Sequence, residues 1–117
     1  MESPLSGTAL ITGASKGIGA STAIAFANYG YDVCVNYHSD KKGAQETVDQ
    51  CEAVGVRAIA VCANVADPLA VRTMFETCDK LLGPVSCLVN NAGIIGGTSK
   101  LSELKQDALR ATFEANL

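Results

Sequence analysis

Residues 12–19 read Thr-Gly-Ala-Ser-Lys-Gly-Ile-Gly, with glycines at Gly13, Gly17 and Gly19. The stretch follows an apolar run, Thr8 to Thr12, and opens a segment of helical length, so it reads as a strand-to-helix corner. Each glycine of this G-x-x-x-G-x-G spacing has its own physical task. Gly13 permits a tight turn, Gly17 lets an anion approach the backbone, and Gly19 lets the helix press against the sheet. A helix starting at such a corner offers unpaired N–H groups and the positive end of its dipole, which together form a cradle for a diphosphate. Ser15, Lys16 and Ile18, interleaved with the glycines, share that cradle.

Outward from the corner, short β-rich runs alternate with amphipathic stretches along the chain. The runs are Thr8 to Thr12, Asp32 to Tyr37, Arg57 to Cys62 and Ser86 to Asn90, and each gap is long enough for the helical crossover that parallel strands require. The first crossover is expected to bury Ile18, Thr22, Ala25, Phe26 and Tyr29 and to end at Gly30. The second runs from a Ser39 cap through Ala44, Val48 and Cys51 to Gly55. The third has Asp67 as N-cap and Pro68 at the first helical position, then Val71, Met74, Phe75, Cys78 and Leu82 before Gly83. A fourth helix is expected from a Ser102 cap through Leu104, Ala108, Ala111 and Ala115. Right-handed crossovers with one reversal order the strands 3-2-1-4 and leave a ligand crevice at their carboxyl ends. The fourth strand is expected to be an uncovered edge, because a doubly wound domain normally has further strands on that side.

The 117 residues suffice for one domain, spanning 1–117. At 48% hydrophobic and 18% charged with a net charge of −3, the composition is that of a globular protein and argues against a nucleic-acid partner. No apolar run approaches the roughly 20 residues of a membrane helix, and Glu2 and Pro4 do not suit a signal peptide, so the expected compartment is the cytoplasm. The five cysteines, Cys34, Cys51, Cys62, Cys78 and Cys87, contain no C-x-x-C pair. They are expected to be buried thiols, and no metal site is expected.

TGASKGIG at 12–19 resembles the cofactor fingerprint of the short-chain dehydrogenase/reductase family. VNNAG at 89–93, ending the fourth strand, resembles that family's second signature, and the likeness extends along the whole chain. It implies an α/β, Rossmann-like parallel sheet with flanking helices, present as the N-terminal, cofactor-binding half with the second half of the doubly wound domain missing. It also implies a nicotinamide dinucleotide and hydride transfer between it and a carbonyl or alcohol carbon of a small substrate.

NAD enzymes place an acid roughly 20 residues beyond the glycines. Here the second strand ends in Val35, Asn36, Tyr37 and His38, with no acid to repel a 2′-phosphate. Lys16 matches the basic residue of NADP-preferring family members and would pair with that phosphate. NADP(H) is therefore the expected cofactor, with Tyr37, His38 and Ser39 at its ribose end. Other readings stay open: Lys16 as a solvated turn lysine, His38 as an ordinary loop residue, and Asp40 as either ribose acid or helix cap. Asn64 and Val65 match the family's adenine contact, although Asn64 also suits an Asx-turn. Asn91, Ala92 and Gly93 are expected to touch the cofactor, and Asn90 to brace the strand.

FEANL at 113–117 resembles the family's segment whose asparagine holds a proton-relay water, which would make Asn116 catalytic; on the residues alone it is a polar side chain near a terminus. The resemblance places the serine, tyrosine and lysine of proton transfer beyond the fourth helix. Tyr29, Tyr31 and Tyr37 sit on the first helix or second strand, and none is expected to act as general acid. The 117-residue chain is thus expected not to turn over. A longer parent is expected to be an NADPH-dependent carbonyl reductase of the 3-oxoacyl-carrier-protein reductase or sugar dehydrogenase kind, with self-association of the homo-oligomer type. The alternatives are a noncatalytic dinucleotide-binding or sensing module, and a ligand-free association element.

Overall fold

The computed structural model describes residues 7–92. The expected fourth helix, Gly93 and Asn116 lie outside them. The element order is β1 (Gly7–Ile11), α1 (Gly17–Asn28), β2 (Tyr31–Tyr37), α2 (Lys41–Ala53), β3 (Ala58–Cys62), α3 (Pro68–Leu81) and β4 (Val85–Val89). The four strands form one sheet in the order β3-β2-β1-β4. Every pairing is parallel, with Ile11 opposite Val35 and Val89, and Tyr37 opposite Cys62. The Rossmann-like order expected from the crossovers is the one found, and among the described residues β4 is an edge.

The two-residue period of the strands sorts their side chains onto two faces. Leu10, Cys34 and Leu88 pack with Val71, Met74, Phe75, Cys78 and Leu82, the apolar stripe of α3. Ala9, Ile11, Val33, Val35 and Cys87 point to the other face, against Ala23 and Ala27 of α1 and Ala44, Val48 and Cys51 of α2. Leu10, Ile11, Val33 and Met74 are completely inaccessible to solvent. Burying one such side chain contributes about 1.5–3 kcal/mol. The helices end at the expected glycines, Gly30, Gly55 and Gly83, all with positive φ.

Two helix expectations are overturned. The buried line of α1 is Gly19, Ala23 and Ala27, not Ile18, Thr22, Ala25, Phe26 and Tyr29. Ile18 is 78% and Tyr29 62% exposed, and Ala25 is also exposed, while Thr22 and Phe26 are half-buried. The reason is that α1 is apolar or small nearly all round, so its periodicity does not select a face; close approach to the sheet selects the smallest residues. Phe26 instead sets its ring edge-on to Tyr31, with centroids 5.0 Å apart. The cap of α2 is Asp40, whose carboxylate accepts the Gly43 N–H at 3.0 Å, not Ser39.

Among the described residues no helix is long and apolar enough to cross a membrane. Cys34, Cys51, Cys78 and Cys87 are buried, but Cys62 is exposed at the end of the edge strand β3 and donates its thiol to the His38 carbonyl at 3.2 Å. The hydrogen-bonded Cys78 thiol and burial hold the Cys34 pKa well above the ordinary range. Burial, with Glu52 adding repulsion, pushes Cys51 up to about 11. Both are inert thiols at neutral pH.

Candidate functional site

The carboxyl ends of β1 and β4 meet at the glycine-rich corner. Gly13 (φ 61°) and Gly17 (φ 62°) hold left-handed backbone conformations, which side-chain-bearing residues enter only at a cost. Gly19 answers a different need. A methyl group there would overlap the Gly13 carbonyl, 2.9 Å from its carbon and 2.7 Å from the Asn91 Nδ2. At Gly17 a methyl would meet nothing within 4 Å, so the space above the corner stays open on that side.

The corner is fastened from several elements. Thr12, fully buried, donates its N–H to the Val89 carbonyl at 3.0 Å. Its hydroxyl donates to Asn90 Oδ1 at 3.2 Å and accepts the Ala92 N–H at 3.0 Å. Asn91 Nδ2 donates to the Gly13 carbonyl at 3.0 Å. From the other side, Asn36 Oδ1 accepts the Gly13 N–H at 3.1 Å, and the Asn36 carbonyl accepts the Ala14 N–H at 2.9 Å. Thr47 of α2 donates its hydroxyl to the Ala14 carbonyl at 2.9 Å. The VNNAG segment therefore meets the corner through Asn90, Asn91 and Ala92, with Asn90 oriented as a brace.

What remains open is the start of α1. Its N-cap, Lys16, is extended (φ −163°, ψ 173°) and gives no side-chain hydrogen bond, and no acidic residue occupies the first turn. The other two described helices are capped, α2 by Asp40 and α3 by Asp67, which accepts the Leu69 N–H at 3.0 Å. An uncapped helix start keeps its orphan amides and partial positive charge available to an anion. Lys16 itself is exposed and adds a full positive charge beside those amides. A diphosphate fits this donor set chemically: amides, a dipole end and a cation, with no carboxylate in the turn.

The remaining expected residues occupy the carboxyl edge of the sheet. Tyr37 is half-buried at the end of β2, followed by exposed His38 and Ser39. Asp40 is a cap, which resolves its structural role. Asn64 forms the Asx-turn, its Oδ1 accepting the Ala66 N–H at 2.9 Å and its carbonyl the Asp67 N–H at 3.0 Å. Val65 packs its side chain against the α3-side core. Tyr37 and Lys41 stand four residues apart, the Y-x-x-x-K spacing. However, Tyr37 closes a strand and Lys41 opens a helix, so they do not form a pair on successive turns of one helix. Among the described residues no group of three His, Cys, Asp or Glu side chains gathers to hold a metal.

Three contributors escape a sequence reading: Asn36, Gly43 and Thr47. A methyl at Gly43 would lie 2.5 Å from the Ser15 carbonyl oxygen, so this glycine lets α2 approach the corner. The available signal was a glycine in the first turn of α2, where intrinsic propensity disfavours it. Thr47 follows it at the i+4 position, on the same helix face.

The model of the short chain dehydrogenase family matches residues 7–117. The 3-oxoacyl-[acyl-carrier-protein] reductase FabG of Staphylococcus aureus (strain Mu50) is 44% identical over 110 residues, covering 94% of this chain and 44% of that protein. The L-rhamnose 1-dehydrogenase (NAD(P)(+)) of Sphingomonas sp. (strain SKA58) is 41% identical, covering 94% of this chain and 43% of that protein. Among solved structures, acetoin dehydrogenase from Enterobacter cloacae superposes with a TM-score of 0.68 at 38% identity, covering 74% of this chain and 34% of that one. The reductase LugOII of lugdunomycin biosynthesis gives a TM-score of 0.70 at 36% identity, covering 80% and 41%. The chain thus spans less than half the length of these relatives.

Proposed function

The chain belongs to the short-chain dehydrogenase family, whose members use a nicotinamide dinucleotide, and we propose that it is the NADP(H)-binding half of a cytoplasmic oxidoreductase. The bound dinucleotide would supply hydride transfer to or from a carbonyl or alcohol carbon of a small substrate. The observation that carries this reading is the uncapped start of α1 at a corner held by two left-handed glycines.

In this reading the amides from Ser15 through Gly19 receive the diphosphate, and Ile18 contributes its backbone while its side chain lies outside. Gly13 shapes the corner, because its N–H and carbonyl are both already bonded. Lys16 pairs with the 2′-phosphate, and Tyr37, His38 and Ser39 form the ribose end. Asn64 and Val65 offer backbone and amide groups to the adenine, and Asn91 and Ala92, with Gly93 after them, border the nicotinamide side. The substrate class is that of the relatives, a 3-oxoacyl thioester or a sugar, and proton transfer, with Asn116 as relay residue, belongs to the longer enzyme. Residues 1–117 by themselves are expected to bind cofactor without turning over, since the general acid–base groups that the family resemblance implies are worth about 10²- to 10⁴-fold each.

Fluorescence titration of the chain with NADPH and NADH tests this. NADPH is expected to bind more tightly, and Lys16→Ala to weaken NADPH by about tenfold while leaving NADH unchanged. Equal or tighter NADH binding would sink the 2′-phosphate assignment, and failure to bind either dinucleotide would sink the whole reading.

A further inference from the structure

We infer that Asn36 is a positioning residue for the dinucleotide, a clasp that determines which amides of the corner are left to face the diphosphate; this rests on the cofactor reading above. Asn36 is 2% exposed at the carboxyl end of β2. Asparagine is depleted in strands, and a buried carboxamide is costly unless its hydrogen bonds are met. Here they are met across three segments. Oδ1 accepts the Gly13 N–H at 3.1 Å. Nδ2 donates toward the carbonyls of Ala63 at 3.1 Å, Val61 at 3.3 Å and Tyr37 at 3.4 Å.

With its main-chain carbonyl taking the Ala14 N–H at 2.9 Å, this one residue occupies the two consecutive amides after Thr12. The amides presented to an anion therefore begin beyond Ala14, next to Lys16 and the start of α1. The donor edge of the same carboxamide holds the exit of β3 at Ala63, immediately before Asn64. One side chain thus ties the diphosphate end of the cofactor site to the adenine end.

All side-chain partners of Asn36 are main-chain atoms, so the position demands an acceptor edge toward Gly13 and a donor edge toward β3. An alkyl group supplies neither. A carboxylate supplies the acceptor but turns a second oxygen toward the carbonyls. A protonated carboxyl supplies both and mimics asparagine.

The test is the NADPH Kd of the full chain and of Asn36→Ala and Asn36→Asp, measured on folded protein at pH 8 and pH 5.5, each variant expressed as a ratio to wild type at the same pH. Asn36→Ala is expected to bind about tenfold more weakly at both pH values, the usual consequence of unmet buried hydrogen bonds. Asn36→Asp is expected to be at least about tenfold weaker at pH 8 and to recover to within about threefold of wild type at pH 5.5, because burial beside carbonyls raises its pKa and favours the protonated form. Folded variants with wild-type affinity and only a lowered Tm overturn the clasp, as does an Asn36→Asp deficit that is flat with pH. If neither variant folds, backbone amide shifts of the wild-type chain decide. NADPH is expected to move Ile18 and Gly19 and to leave Gly13 and Ala14 nearly still; equal movement overturns the clasp. A wild-type chain that binds neither dinucleotide overturns the cofactor reading together with this one, whereas binding without the Asn36 dependence overturns the clasp alone.

Discussion

Helices α1 and α3 lie on opposite faces of one sheet and follow opposite rules. α3 starts at an Asp67 cap and Pro68 and buries Val71, Met74, Phe75 and Cys78 in a single stripe, while its other sides carry mainly polar residues together with the exposed Leu69 and Leu81. α1 starts at an uncapped lysine, buries only Gly19, Ala23 and Ala27, and exposes Ile18. α3 is built to hold the sheet. α1 gives up cap and bulky anchors so that its first turn can lie close to the sheet edge with its amides open. On the proposed function, binding falls to the α1 side alone, whereas both faces of the sheet carry buried core.

The division can be broken first where it is largest. Met74→Ala removes a fully buried side chain, and is expected to cost about 3 kcal/mol in denaturant unfolding while the folded chain keeps its NADPH affinity within about twofold. A matching loss of affinity would show that the faces are not independent. Gly19→Ala is the reciprocal change. Its methyl would collide with the Gly13 carbonyl and Asn91, so about 2 kcal/mol of stability is expected to go and NADPH binding to fall below detection in the same titration.

Smaller effects sharpen the contrast. Asp67→Ala should cost about 1 kcal/mol with no change in Kd, since the cap serves only α3. Ile18→Ser, at a side chain 78% exposed, should change Tm negligibly, with a cost below about 0.5 kcal/mol. A loss of several degrees would restore Ile18 to the core.

The strands, their order and the corner could be read in the sequence because each rests on local chemistry: β-rich runs, helical gaps and glycines where the backbone needs them. The α3 stripe and its cap were equally plain. α1 was not, because a helix apolar on most sides contains no periodic contrast, and the packing distance that selects Gly19, Ala23 and Ala27 is a property of the sheet. Asn36 was visible only as an absent acid; its clasp depends on Gly13 and Ala63, 23 and 27 positions away. Cys62 looked like its buried fellows because it closes an apolar run, although the expected strand order already put that run at an edge of the sheet, where its last residue is exposed. Asp40 and Ser39 are both good caps, and which one serves depends on where the chain turns.

The hydroxyl of Thr12 and the amide of Ala92 are joined across 80 positions, and this has a temporal consequence. Closing so long a segment is slow compared with forming any one crossover, and a growing chain is made at only about 5–20 residues per second. Among the described elements, the corner is therefore the last feature to be fastened, because its lock waits for β4. A nascent chain can shape its glycine turn early, but cannot lock it until the fourth strand has left the ribosome, so the Thr12–Ala92 hydrogen bond reports that β4 has joined β1.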